Sequence, residues 1–242
     1  MRKRIRFYPS GAEVNEQEIV GTTAAVADVL RATSTIVTAL GNGCKAVIPA
    51  TDIKTALAAV RSFRRQDVLL GGERMGRKID GFDFGNSPQE YTRERVEDKV
   101  IVITTTNGTK ALVYAQTAVR TVVLSFLNLT AIADFILQQE RDVSVIAAGN
   151  DGDDSIEDTV CCGLLIDQLV RRAPGQFQPC QASPRAAQLA VAQQGKIQQL
   201  LRQSPHGEYL TSIGYESDLT LCADMDSRSI VPHYSHGRIT II

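Results

Sequence analysis

Four short stretches gather the side chains able to do chemistry: ADVLRATST (27–35), GGERMGRK (71–78), TTTNGTK (104–110) and AAGNDGDDSIED (147–158). The third has the composition of an anion site. Asn107-Gly108 permits positive φ, and Thr104, Thr105, Thr106 and Thr109 add hydroxyls at a predicted helix N-terminus. Loops of this kind hold phosphate, sulfonate or carboxylate, although Asn-Gly also marks plain turns. In the first stretch Thr33 and Ser34 with Thr35 form a helix-start cluster that could serve the same end. Taken alone, Asp28 reads as a turn cap and Arg31 as a surface charge.

The fourth stretch carries the opposite charge. Asp151, Asp153, Asp154, Glu157 and Asp158 lie within eight residues. Carboxylates that close repel one another unless they are solvated, placed in the first turn of a helix, or bridged by a cation. A hard divalent cation reconciles them with neighbouring anion loops, because Mg²⁺ takes a few carboxylates plus water and phosphate oxygens. In the second stretch Glu73 directly follows two glycines at a strand end. It reads as a metal ligand or as the group that orients an attacking water, with Asp28 and the Glu157-Asp158 pair as partners. Arg74 beside it would face the negative groups of a substrate. Three histidines, at 206, 233 and 236, are too few and wrongly spaced for zinc. The nucleotide P-loop, the GxGxxG turn, the GxSxG elbow and DxDxT are all missing.

The elements that must position these groups alternate along the chain. Strands are expected at 5–8, 24–29, 45–49, 68–70, 100–104, 122–125 and 143–148. Helices are expected at 34–40, 53–63, 109–115, 128–139 and 156–171. This is the βα pattern of a layered α/β/α fold with a mostly parallel or mixed sheet. Each of the four stretches follows a strand, where ligands collect in parallel sheets. The polar segment 70–91 then becomes one wall of a site, closing at a helix that Ser87 caps, with Pro88 in its first turn and Glu90 completing a capping box. The first strand and the terminal RITII read as edge strands. The C-terminal third is helix-rich, with starts at Ser183-Pro184 and Ser204-Pro205. The chain is either one unit over 1–242 or two subdomains divided near 126–142.

Bulk properties narrow the class. A hydrophobic content of 43% supports a buried core, and a net charge of −1 gives no reason to expect nucleic-acid binding. No apolar run approaches the roughly 18 to 20 residues of a membrane span. Five cysteines without a CxxC pair suit a reducing compartment, so a cytoplasmic location is expected, and adjacent Cys161 and Cys162 read as packing.

The ordered set DVLRATSTIVTAL, GGERMGRKIDGFDFGNSPQEY, ITTTNGTKAL, AGNDGDDSIEDTVCCG, SPHGEYL and CADMDSRSIVP resembles the 2-phosphosulfolactate phosphatase (ComB) family over nearly the whole chain. The resemblance implies a Mg²⁺-dependent phosphatase that converts 2-phosphosulfolactate to 3-sulfolactate and phosphate, a step toward coenzyme M, on a fold largely particular to that family. Catalytic roles then fall to Asp28, Glu73 and Asp158, and metal ligation to Asp28, Glu73, Glu157 and Asp158. Which carboxylate is ligand and which is base stays open. Substrate contacts are expected from Arg31, Thr33, Ser34, Arg74, Lys78, Thr105, Thr106, Asn107, Gly108 and Thr109, with Arg77 and Lys110 in the matching loops. The expected partner is a small anionic substrate, and a homo-oligomer is expected. Two other readings are a phosphatase of the same scaffold for another phosphorylated hydroxy acid, and a non-catalytic anion-binding protein.

Overall fold

The computed structural model describes residues 2–150 and 152–242, so Asp151 lies outside the described residues. The first half runs β1 (Lys3–Tyr8), α1 (Glu16–Ile19), β2 (Thr23–Ala27), α2 (Ala32–Gly41), β3 (Ala46–Pro49) and α3 (Ile53–Val60). It continues through β4 (Val68–Arg74), β5 (Arg77–Lys78), α4 (Arg93–Val96), β6 (Val100–Thr104), α5 (Gly108–Tyr114) and β7 (Arg120–Leu124). Then come α6 (Leu129–Leu137), β8 (Val143–Ala147), α7 (Ile156–Arg172) and β9 (Phe177–Gln181). The chain closes with α8 (Ser183–Gln193), α9 (Ile197–Gln203), α10 (Pro205–Ser212), α11 (Glu216–Cys222), β10 (Pro232–Ser235) and β11 (Arg238–Ile241).

Local chemistry accounts for several of these boundaries. Asp52 caps α3 by accepting from Thr55 N at 2.7 Å, and Ser155 Oγ caps α7 by accepting from Asp158 N. Ser204 caps α10, with Pro205 in its first turn. The five cysteines are unpaired, and Cys161 and Cys162 pack inside α7.

Among the described residues the strands form one sheet in the order β5-β4-β6-β3-β11-β10-β7-β2-β8-β1-β9. The layered architecture follows from strand alternation. On β2, Ala25 and Ala27 join a core with α6, α7 and α8, while Ala24 and Val26 join another with α2 and α5. Neighbouring β7 and β8 divide in the same way, Val122 against Val123 and Val145 against Ile146.

Two parallel blocks, β4-β6-β3 and β7-β2-β8-β1-β9, flank the β10–β11 hairpin. Three antiparallel ladders separate them, β3 with β11, β11 with β10, and β10 with β7. In a flat sheet the blocks would point in opposite directions. Yet the loops after β2, β6 and β8 and the end of β4 line one cavity. The sheet therefore folds back on itself around α2 and α5, which pack against both blocks.

This topology corrects several expectations. The terminal strand β11 is interior, between β3 and β10, and β1 is interior, between β8 and β9. Segment 70–91 is less irregular than its composition suggests. β4 continues to Arg74 and turns through Met75 and Gly76 into β5. No capped α-helix follows: Pro88–Glu90 is a 3-10 turn, Ser87 Oγ donates to Asp218, and Glu90 accepts from Gly85 N.

Candidate active site

Register brings the polar stretches together. Ala27 pairs with Ala147, so Asp28 and the 148–150 loop leave the sheet side by side. Gly72 pairs with Thr104, which sets Glu73 beside the threonine loop. Only glycine fits at 72, because a Cβ there would collide with the Thr104 carbonyl.

The threonine loop does hold an anion, but that anion is internal. Thr106 donates its backbone N–H and its hydroxyl to Glu73 Oε1, at 2.8 and 2.9 Å. Glu73 Oε2 accepts from Gly76 N at 2.8 Å. Asp28 lies where α2 and α5 both begin. Its carboxylate accepts from Ala32 N at 3.2 Å and from Gly108 N. Asp158 Oδ1 accepts from Val29 N at 2.8 Å, tying α7 to the Asp28 loop. Ser155 and Ser204 hydroxyls hold Glu157.

Asp28, Glu73, Glu157 and Asp158 all line a cavity of about 350 Å³, and each is buried. Burial above all, with the charges of Glu73 and Glu157 adding to it, pushes the Asp28 carboxyl up to about 7. Burial likewise holds Asp158 well above the ordinary carboxylate range, with Asp28 and Glu157 adding to the effect. Glu157 is also raised, by burial. Among the described residues none of the four has a salt-bridge partner.

A sequence profile described as 2-phosphosulpholactate phosphatase matches residues 9–237. A Clostridium novyi protein named "Probable 2-phosphosulfolactate phosphatase" is 36% identical over 98% of this chain and 99% of its own length. A protein of the same name from Clostridium acetobutylicum is 37% identical over 98% of this chain and 99% of its own length. Another from Symbiobacterium thermophilum is 37% identical over 93% and 97%. The chain belongs to the 2-phosphosulfolactate phosphatase family.

The donor set of this family member fits a hard cation. Buried carboxylates without cationic partners are oxygen-only ligands whose mutual repulsion a divalent ion would relieve. Among the described residues no group of three or more His, Cys, Asp or Glu side chains is placed to hold a metal ion. A hard cation here would therefore draw on one or two carboxylates, with water and substrate oxygens completing its shell.

The remaining sequence candidates divide by position. Arg31, Thr105, Thr106 and Asn107 line the cavity; Thr33, Ser34, Arg74, Lys78, Gly108 and Thr109 do not. Thr33 is tied to the Asp28 backbone, and Ser34 to Val29 O and Ser125. Thr109 and Thr105 hydrogen-bond to each other across the first turn of α5. Arg74 donates to Glu73 O and Thr104 Oγ1, while Arg77, Lys78 and Lys110 are exposed. Gly108 is not at positive φ; close approach is what it provides. Asp153 and Asp154 are exposed and outside the cavity wall.

Sequence reasoning missed Asn86, Ser155, His206 and Tyr209, which also line the cavity. His206 and Tyr209 belong to SPHGEYL, where a histidine and a tyrosine just inside a Ser-Pro helix start were the available signal. Asn86 and Ser155 had none beyond their place in polar loops.

Proposed function

We propose that this protein is a Mg²⁺-dependent phosphatase that hydrolyses 2-phosphosulfolactate to 3-sulfolactate and phosphate, a reaction of the coenzyme M biosynthetic type. The observation that carries this reading is a cavity lined by four buried carboxylates without cationic partners. Such a cavity repels an anionic substrate until its charge is offset. One or two of Asp28, Glu73, Glu157 and Asp158 would hold Mg²⁺. Bound there, Mg²⁺ would neutralise phosphoryl oxygens and polarise water.

The chain's own residues supply the rest. A buried carboxylate of this set that the cation leaves unligated would take the proton of the attacking water. The backbone N–H of Val29 and the hydroxyls of Ser155 and Ser204 fix Asp158 and Glu157 at the cavity wall. Phosphoryl transfer depends mainly on positioning and charge stabilisation, which a rigid constellation of this kind provides.

One observation favours a second reading, a phosphorylated hydroxy acid with less negative charge. Arg31 is the only Arg or Lys among the lining residues, and its two Nη atoms are engaged by Asp218 and Gly76 O. The cationic group at the wall is thus already committed within the fold, which favours a substrate without a second strong anion. Phosphate release from 2-phosphosulfolactate and from phosphorylated lactate and glycolate, with Mg²⁺ and with EDTA, tests both readings. Phosphate release from 2-phosphosulfolactate only with Mg²⁺ supports the first, and preference for the simpler acids supports the second. Turnover undiminished by EDTA would refute the metal requirement, and no release from any ester would leave an anion-binding protein.

A further inference from the structure

Asn86 stands in the wall of the carboxylate cavity and is 4% exposed. The backbone around it is held firmly. Asn86 O accepts from Thr35 Oγ1 at 2.8 Å. On one side Gly85 N donates to Glu90, while Gly85 O accepts from Tyr91 Oη and Gly72 N. On the other, Ser87 Oγ donates to Asp218 at 2.6 Å.

The side-chain oxygen is the exception. Asn86 Oδ1 is buried and meets no hydrogen-bond donor. Four other buried side-chain atoms among the described residues share this condition, on Thr23, Thr38, Gln168 and Arg228, and none of those residues lines the cavity. A buried acceptor without a donor destabilises the fold that carries it, so its presence calls for an explanation. Its neighbours in the wall suggest one. An amide oxygen is a ligand type that hard cations accept, and it completes a shell without adding to the repulsion among carboxylates.

We propose that the Asn86 side-chain amide is an oxygen donor to the cation site. This assignment rests on the reading of the cavity as a Mg²⁺ site and extends it to a residue outside the acidic set. Its pinned backbone gives the pre-organisation a ligand residue needs.

A structural asparagine and a ligand asparagine respond oppositely to substitution. Asn86→Ala removes the orphaned acceptor, so the metal-free protein should melt no lower than wild type. Its Mg²⁺ affinity, titrated by calorimetry without substrate, should fall by about tenfold or more, the scale on which single groups supporting a metal site act. Asn86→Asp adds a carboxylate to an already repulsive cavity, so the metal-free protein should melt lower while its Mg²⁺-induced rise in Tm grows. Asn86→Ser, measured alongside, gives the same readouts with a smaller change in packing. If these variants bind Mg²⁺ within twofold of wild type, the assignment fails and the metal reading stands. If wild type itself shows neither binding heat nor a Tm shift with Mg²⁺, the metal reading fails and this assignment with it.

Discussion

Arg31 Nη1 lies 2.7 Å from Asp218 Oδ2, and both side chains are 1% exposed although 187 positions separate them in the chain. The guanidinium also donates to Gly76 O at 2.5 Å and covers the Tyr215 ring at 4.3 Å. The second Asp218 oxygen accepts from Ser87 Oγ and Gln89 Nε2. One buried pair thus joins the Asp28 loop, the β4–β5 turn and α11. Since Gly76 N holds Glu73, the pair also stands behind one wall of the cavity.

Removing one partner should be far worse than removing both. Asp218→Ala leaves a buried guanidinium without a counter-ion and should cost about 3–5 kcal/mol in urea unfolding. Arg31→Met with Asp218→Leu should cost less than that single change. A single variant within about 0.5 kcal/mol of wild type, the scale of ordinary surface changes, would mean the pair carries little.

Gly108 tests the close approach of α2 and α5. A Cβ at this position would sit 2.5 Å from Asp28 Oδ2 and 2.6 Å from Ala32 Cβ. Gly108→Ala should destabilise by about 1–3 kcal/mol, as overpacking does. It should also displace Asp28, with kcat falling by on the order of 10², the effect of a displacement near 1 Å. Unchanged kcat in a folded variant would separate Asp28 from the chemistry.

Glu73→Gln does more than remove a charge. Three donors surround this carboxylate, so the new amide NH₂ must oppose Thr106 or Gly76. With these contacts, a loss of about 1–3 kcal/mol should accompany a fall in kcat of roughly 10². Wild-type values for both in urea unfolding and steady-state assays would make the three hydrogen bonds incidental.

The raised Asp28 carboxyl sets a pH dependence with a definite sign. An unfolded Asp titrates near 3.9, whereas Asp28 in the fold titrates at about 7. Between those values the folded state holds a proton that the unfolded state has lost. Stability of the metal-free protein should therefore fall as pH rises from about 4 to 7, then level off. The raised Asp158 and Glu157 act in the same direction. In Asp28→Asn the fall should be smaller. Because carboxylates bind metal deprotonated, the Mg²⁺-induced rise in Tm should be larger at pH 8 than at pH 5.5. Equal rises at the two pH values would count against carboxylate ligation.

The sequence alone determined the βα alternation, the helices and the starts at Asp52 and Ser204, because period-2 and period-3.6 patterns and capping side chains act over a few residues. It also marked the polar loops after strands and the four carboxylates that share the cavity, since a parallel strand delivers its following loop to a known end of the sheet. It could not choose ladder partners. RITII has the same alternation at an edge or in an interior, and only the docking of β10–β11 between two parallel blocks made it interior. Nor could it say which anion the threonine loop holds, because Glu73 reaches Thr106 only through the β4–β6 register. Arg31, taken alone, read as a surface charge for the same reason, yet it is buried. Charge complementarity acts through space, and Asp218 becomes its neighbour only when the C-terminal helices pack over the site.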